Sequence, residues 1–405
     1  MVQNNTIGKK YVTIVKNKAW IILITVYLAG ITVTMSMMKV PPMMNFLIAD
    51  LNTDTTTGGL FMSSFMIAGV VLAFPVASLL NRWGPKKSGL IAIGFTIAGS
   101  LFGSLAQTSS VMLLIGRFIE GIGFAGIMVI APAVISMWFE PTTRGLPMGI
   151  WATWVPVGLF IIYNLAKPLE SIFSWRGVWW FNAVFASIIA LIYYLVIDYP
   201  YESNTIESRE KLKNKKNVNL KLGFKNLNIW RLTIIFFIIG MSIQGYNTWL
   251  PTFLVDFGLK ESISNFNASL ITMGSIPAIV TAGLMLTYTK RHKNILTTGL
   301  FLSIVTFSFW FRFGSIYVIA PWMILIGLST GLSPTCIFTM ATETVSQPEY
   351  IGFSLAMVNM GFNFGTIIGP PVIGMIISRS GWAPVKYFVV IPLIISIVLV
   401  LNINE

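Results

Sequence analysis

The sequence is short of the residues that carry most protein chemistry. Its 405 residues include one cysteine, one histidine and only 10% charged side chains. A lone Cys336 excludes an internal disulfide, and Cys336 with His292 makes no zinc or iron–sulfur ligand set. No cofactor is expected. No cluster of nucleophile, base and acid stands out, so the chain does not read as an enzyme. There is also no G-x-x-x-x-G-K-[ST] loop, which removes nucleotide hydrolysis as an energy source. Acidic residues are the scarcer charge, 14 against 27 Lys and Arg, for a formal net charge of +13. Soluble domains are roughly a quarter charged, and a soluble chain of this length with 55% hydrophobic residues could not hide its apolar surface.

Long hydrophobic runs are what the sequence has instead. A membrane-crossing helix needs about 20 mostly apolar residues. That requirement predicts twelve spans, at 20–46, 60–80, 89–105, 111–138, 146–165, 178–197, 230–254, 268–288, 295–311, 316–340, 352–377 and 385–401. Lys9, Lys10, Lys16 and Lys18 before the first span look like the start of a signal peptide. The apolar run continues past Val33 without a small-residue cleavage site, so an uncleaved span is expected.

The longest polar stretch, 201–228, separates six spans from six. The expected organisation is a six-helix bundle over 1–200, a cytoplasmic linker over 201–229 and a second six-helix bundle over 230–405. The charge run in the middle is a solvated linker or, on a sharper reading, a regulatory or lipid-binding segment. With even-numbered loops and both termini on one face, that face receives 19 Lys and Arg and the other six; Lys39 and Arg117 fall inside spans. The positive-inside rule then places both termini in the cytoplasm. The +13 is therefore a topology signal in a multi-pass cell-membrane protein, and no nucleic-acid partner is expected.

An internal repeat supports the division. Leu114-Ile115-Gly116 recurs 211 residues on as Leu325-Ile326-Gly327, and Pro141, Gly145 and Gly158 recur 207 residues on as Pro348, Gly352 and Gly365. Trp20 and Trp230 open the two halves at a spacing of 210. Two parallel six-helix repeats are a known transporter plan, with substrate held near mid-membrane between them.

The loop after the second span, Asn81-Arg82-Trp83-Gly84-Pro85-Lys86-Lys87, resembles the G-x-x-x-D-R-x-G-R-[RK] signature of the major facilitator superfamily. Arg82, Gly84, Lys86 and Lys87 match, whereas Asn81 replaces the acid and Ala77 the leading glycine. The resemblance implies that this loop helps close the cytoplasmic side. Gly116-Arg117-Phe118-Ile119-Glu120-Gly121 is similar to the superfamily's R-x-x-x-G element. Trp138-Phe139, Arg144-Gly145, Gly149 and Trp175-Arg176 look like the pattern of organic-anion and cyanate-type permeases. Of the fifth-span motif of drug/proton antiporters only Pro156 and Gly158 are present. A G-x-x-x-G-x-x-x-G-P-P run stands instead at Gly361, Gly365, Gly369, Pro370 and Pro371, read as close helix packing with a bend or as a hinge.

Charge inside a span is expensive unless it faces protein or water. Lys39, Arg117 and Glu120 are the clear cases. By helix rise, Lys39 and Arg117 each lie about 9 Å inside the outer boundary. Arg117 and Glu120, three residues apart, share a helix face and can pair. Arg117 reads as a clamp for a substrate carboxylate, as part of a proton-coupling pair, or as an arginine tied to Glu120 and to first-span carbonyls. Glu120 is the candidate proton carrier or a neutralising partner. Lys39 attracts an anion in the cavity or snorkels to the surface. Arg312 would add to the anion site if it faced inward, and Glu343 is expected at the interface. Further substrate-binding candidates are Tyr163, Asn164, Gln244, Tyr246, Asn247, Asn359 and Asn363, whose alternative use is bonding between helices. Met35, Met37, Met38, Met43 and Met44 are expected to pack; a soft-metal path lacks Cys or His partners.

The sequence thus predicts an all-α membrane protein with twelve transmembrane helices in two six-helix bundles, working as a monomeric secondary transporter by alternating access. Two buried cations against one anion favour proton-coupled uptake of a small organic or inorganic anion. A proton-driven exporter of drugs or metabolites and a non-transporting membrane sensor or receptor are the alternatives.

Overall fold

A computed structural model of the protein describes residues 2–106, 108–140, 143–198, 226–289, 291–309, 316–345 and 350–403, with backbone only at 2–16, 73–81, 287, 316 and 317. Arg312, Lys290, Pro141, Pro348 and most of the linker lie outside the described residues. Among those residues all regular structure is helical. The elements are α1 (Val2–Met38), α2 (Val40–Asp50), α3 (Thr55–Ser104), α4 (Ser110–Trp138), α5 (Gly145–Ala152), α6 (Trp154–Val196), α7 (Leu227–Asp256), α8 (Glu261–Tyr288), α9 (His292–Ser308), α10 (Ile316–Glu343), α11 (Ile351–Ser380) and α12 (Val385–Leu401).

Nine stretches among the described residues are long and apolar enough to cross a membrane. One of them, Gly145–Val196, is 52 residues long and breaks at Phe173–Ser174 into two passes. α9 and α12 are shorter, at 17 residues each, and α12 is apolar along its length. The whole is consistent with the twelve expected spans.

The turns between passes explain where the helices end. α3 reverses at Gly84 (φ 73°, ψ 174°), α6 at Ser174 (φ 57°, ψ −179°), and α11 stops at Gly381 (φ 71°, ψ −165°). This backbone region is essentially reserved for glycine, so Ser174 is the strained member of the set. Ser174-Trp175 and Gly381-Trp382 stand 207 residues apart, the spacing of the sequence repeat. Their side chains repeat as well: Trp175 Nε1 donates to Asp50 Oδ2 at 2.7 Å, and Trp382 Nε1 donates to Asp256 Oδ2 at 3.0 Å. Gly158 lies on the Ile31–Thr34 stretch of α1, and Gly365, its repeat mate, on Phe237 and Met241 of α7. The duplication is therefore one of contacts and backbone geometry as well as of residue identity.

Bonds at the helix ends define two rims. The basic rim holds the Gly84 turn, where Tyr193 Oη donates to Pro85 O at 3.1 Å, the Lys18–Asp198 pair at 3.6 Å and the His292–Glu343 pair at 2.7 Å. The opposite rim holds the Trp–Asp clasps and the Arg176–Asp50 pair at 2.9 Å. Here Asp54 caps α3, accepting from Thr57 N at 2.8 Å, and the Thr57 hydroxyl and N–H hold its carboxyl below the usual aspartate range.

The polar contacts seen between the bundles lie toward that opposite rim. Thr55 Oγ1 donates to Gly374 O at 2.6 Å, Tyr163 Oη to Asn247 O at 3.0 Å and Asn164 Nδ2 to Ser269 Oγ at 3.2 Å; Lys167 pairs with Glu261. Ser63 Oγ donates to Ile367 O, a carbonyl whose helical partner is missing because residue 371 is proline. Further toward the basic rim the facing surfaces part. On α3, Ile67 and Val71 are 39% and 60% exposed, and on α11 Asn363 and Asn359, four and eight residues before Ile367, are half-buried and exposed. The bundles thus close at one rim and diverge toward the other. Gly361, Gly365 and Gly369 rest on the backbone of Thr233, Phe237 and Met241 of α7, which is the close-packing reading of the glycine run.

Two pairs of substitutions, compared by thermal unfolding of the purified protein, test these contacts. Ser174→Gly is expected to stabilise by about 1 kcal/mol of relieved strain, and Gly381→Ser to destabilise comparably. Gly365→Ala would drive a methyl into the α7 backbone and lower the unfolding temperature, while Gly352→Ala, with open space around it, leaves the temperature unchanged or raised.

Candidate functional site

The site begins with a helix break. Pro41 and Pro42 lack backbone N–H groups, so the carbonyls of Met37 and Met38 lose their helical partners and the chain turns at Lys39 between α1 and α2. Arg117 on α4 takes up this disorder of bonding. Its Nη2 donates to Met37 O at 3.0 Å, its Nη1 to Ser36 O at 2.5 Å and its Nε to Phe61 O on α3 at 3.1 Å. The guanidinium plane stands 4.4 Å from the centre of the Phe65 ring.

Glu120, one turn along α4, receives a cation at each oxygen. Arg117 Nη1 donates to Oε2 at 2.6 Å, and Lys39 Nζ pairs with Oε1. Ser100 Oγ on α3 donates to the same Oε1 at 2.6 Å while accepting from Lys39 Nζ at 3.1 Å and from Asn182 Nδ2 on α6 at 3.0 Å. The ammonium also lies 4.5 Å from the centre of the Trp179 ring. Lys39, Arg117 and Glu120 are all 0% exposed. The approach depends on Gly99, where a Cβ would fall 2.6 Å from both Glu120 Cγ and Glu120 N. The cluster carries two cations and one anion, a formal excess of one positive charge within the first bundle.

The structure thus unites Lys39, Arg117 and Glu120 and excludes a snorkelling Lys39, whose ammonium turns into the bundle. Arg117 is bonded to Glu120 and to first-span carbonyls, one of the readings the sequence left open. None of the three lines an open cavity in this conformation. Ser100, Trp179 and Asn182 carry no sequence signal beyond being polar or aromatic in an apolar span, and only the fold brings them to Lys39.

The other candidates lie apart. Tyr163, Asn164 and the backbone of Asn247 join the bundles, as described above. Tyr246 faces into the second bundle, with its hydroxyl 3.7 Å from Met323 Sδ and its ring against Phe307. Gln244 is buried with Nε2 unbonded. Asn359 and Asn363 continue the α11 face that looks across to α3. At the basic rim Arg82 and Lys87 are exposed, Gly84 is buried and Lys86 lies 4.8 Å from the centre of the Tyr194 ring. Glu343 sits at that rim with His292, as expected. Met35, Met37, Met38, Met43 and Met44 are buried in the core, and Trp249 Nε1 donates to Pro370 O at 2.8 Å.

Chemically, the cluster offers a dry carboxylate whose charge is met by two cations and a hydroxyl. Withdrawal of one cation leaves Glu120 in a neutral pair with the other; withdrawal of both leaves a buried carboxylate that must be neutralised by a proton or another cation.

Comparison with known proteins agrees with this architecture. The hexuronate transporter of Bacillus subtilis (strain 168) is 25% identical over 389 residues, covering 89% of this chain and 88% of the relative. A proposed tartrate transporter of Agrobacterium vitis is 20% identical over 385 residues, covering 88% and 86%. Among solved structures, the D-xylose-proton symporter superposes with a TM-score of 0.78 at 16% identity, over 95% of this chain and 98% of that one. Residues 26–347 and 261–404 match the family model of the Major Facilitator Superfamily, and the chain is a multi-pass membrane transporter belonging to that family.

Proposed function

We propose that this transporter takes up a small carboxylate-like anion together with a proton, working in the cell membrane with both termini in the cytoplasm. The observation that carries the reading is the solvent-free cluster of Lys39, Arg117 and Glu120, with its excess positive charge at the α1–α2 break. That charge favours an anion over a cationic drug. Relatives named for hexuronate and tartrate, both carboxylates, support the same class. The basic rim, facing the cytoplasm under the positive-inside rule, is where the bundles diverge, so this conformation corresponds to one open inward.

In this reading the segments 1–200 and 230–405 rock about the linker 201–229. An incoming carboxylate competes with Glu120 for Lys39 and Arg117, and the displaced Glu120 is neutralised by a proton, so anion and proton load together. Asn359 and Asn363 on the diverging face, with Tyr163, Asn164, Gln244 and Asn247, supply hydrogen bonds to the rest of the substrate; Tyr246, turned into the second bundle against Phe307, is outside that set. Arg82, Gly84, Lys86 and Lys87 form the cytoplasmic gate loop. The protein works as a monomer.

Proteoliposomes with an inward proton gradient test the coupling, with galacturonate and tartrate as probes. Glu120→Gln should reduce uphill accumulation at least about tenfold while sparing counterflow exchange. Undiminished accumulation in this variant would move the proton site elsewhere. Arg117→Lys should lower both the unfolding temperature and the affinity for carboxylates, because a single ammonium cannot replace a planar fork bonded to three carbonyls and a carboxylate. Unchanged affinity in a folded Arg117→Lys protein would remove Arg117 from the substrate site.

A further inference from the structure

The ligands around Lys39 Nζ are those a small monovalent metal ion would take. Nζ meets a carboxylate oxygen of Glu120, the Ser100 hydroxyl at 3.1 Å and the face of the Trp179 ring. Hard oxygen donors of this kind suit alkali cations, not soft metals. Asn182 completes the set. It is 0% exposed, its Nδ2 donates to Ser100 and its Oδ1 has no partner. Turning the amide over would present that orphan oxygen to the same cluster. We propose that Lys39 is the tethered occupant of a monovalent-cation site formed by Glu120, Ser100 and Asn182, so that the native protein binds no sodium or lithium there and a chain lacking this lysine does.

Charge arithmetic supports the exchange. Arg117 keeps Oε2 of Glu120 for itself, so loss of the Lys39 ammonium leaves a neutral Arg117–Glu120 pair with Oε1 free. One alkali ion then restores the native excess of one positive charge. The site also departs from the internal repeat. Asp50 and Asp256 are 206 apart, and by that spacing Lys39 corresponds to Gly245. By the 211 spacing of Gly116 and Gly327, Arg117 corresponds to Leu328 and Glu120 to Gly331. The second half is built without these charges, so the fold repeats without them and the cluster is particular to the first bundle. Its cation is carried at the α1–α2 junction before Pro41 and Pro42, so the ammonium stays tethered to the chain.

The inference rests on reading this cluster as the coupling site, but its test measures cation binding by the purified full-length chain, so failure of uptake and failure of the cation site are distinguishable. Native, Lys39→Ala and Lys39→Ala/Glu120→Gln proteins are unfolded thermally in sodium, lithium or choline chloride at equal ionic strength. The native protein should unfold at one temperature in all three salts. Lys39→Ala should show a saturable rise of about 2 °C or more in sodium or lithium relative to choline, at salt well above its dissociation constant. The double variant should show none. A saturable sodium or lithium rise in the native protein overturns the proposal, as does no rise in Lys39→Ala or an equal rise in the double variant. Lys39→Ser, which also vacates the seat, gives the same readout should Lys39→Ala not purify. Failure of both to purify in sodium as well as in choline overturns the proposal, since the remaining ion pair is neutral.

Discussion

A carboxylate with no access to water needs its charge met at each oxygen, and Glu120 has this need in the middle of an apolar bundle. Arg117 meets one oxygen; Lys39 and Ser100 meet the other. Those partners come from the α1–α2 junction, α3 and α4, and Asn182 joins from α6, so much of the first bundle is ordered around one side chain. Removing one partner of a buried ion pair so that a charge is left uncompensated typically costs about 3–5 kcal/mol. The same arginine also takes up the Met37 carbonyl that Pro41 leaves free. The break in the first span and the charged cluster are therefore linked: Pro41 frees an acceptor and the arginine fills it.

A second use of proline carries the contact between bundles. Pro371 frees the carbonyl of Ile367, and Ser63 of α3 takes it. In both places a missing N–H in one helix becomes a bond to another, at a depth where no water is available to substitute. The bundles are held at the rim of the Trp–Asp clasps and part toward the basic rim. Within this frame the repeated contacts hold up the fold, while the unrepeated charges mark the place where the two halves differ in chemistry.

Much of this was legible in the sequence. Helix number and placement follow from apolar runs, because a bilayer-length helix must be continuous in sequence. The pairing of Arg117 with Glu120 follows from their spacing on one helix, and the glycine run of α11 from its four-residue period. Lys39 was harder. No acid lies near it in sequence, and its partner stands 81 residues away, on a helix that meets it only after packing. Ser100 and Asn182 were not visible at all, since a single hydroxyl or amide in an apolar span has the same local pattern whether it bonds its own helix or a neighbouring charge. The candidates on α7 divided for a similar reason. Tyr246 and Asn247 are adjacent in sequence, yet a helix turns 100° per residue and sends them to different neighbours.

The sequence by itself determined that the chain crosses a membrane many times, that its halves are duplicates and that three charges lie within the apolar spans. These are properties of local composition and period, which each segment carries wherever it packs. Only the tertiary structure decided that the three charges form one solvent-free cluster, that Ser100 and Asn182 belong to it, and that the bundles meet at one rim and diverge at the other. Those facts depend on which faces of distant helices come together. That choice is made by shape at glycine contacts and by the need to satisfy every buried polar group, neither of which is written in any single stretch of the chain.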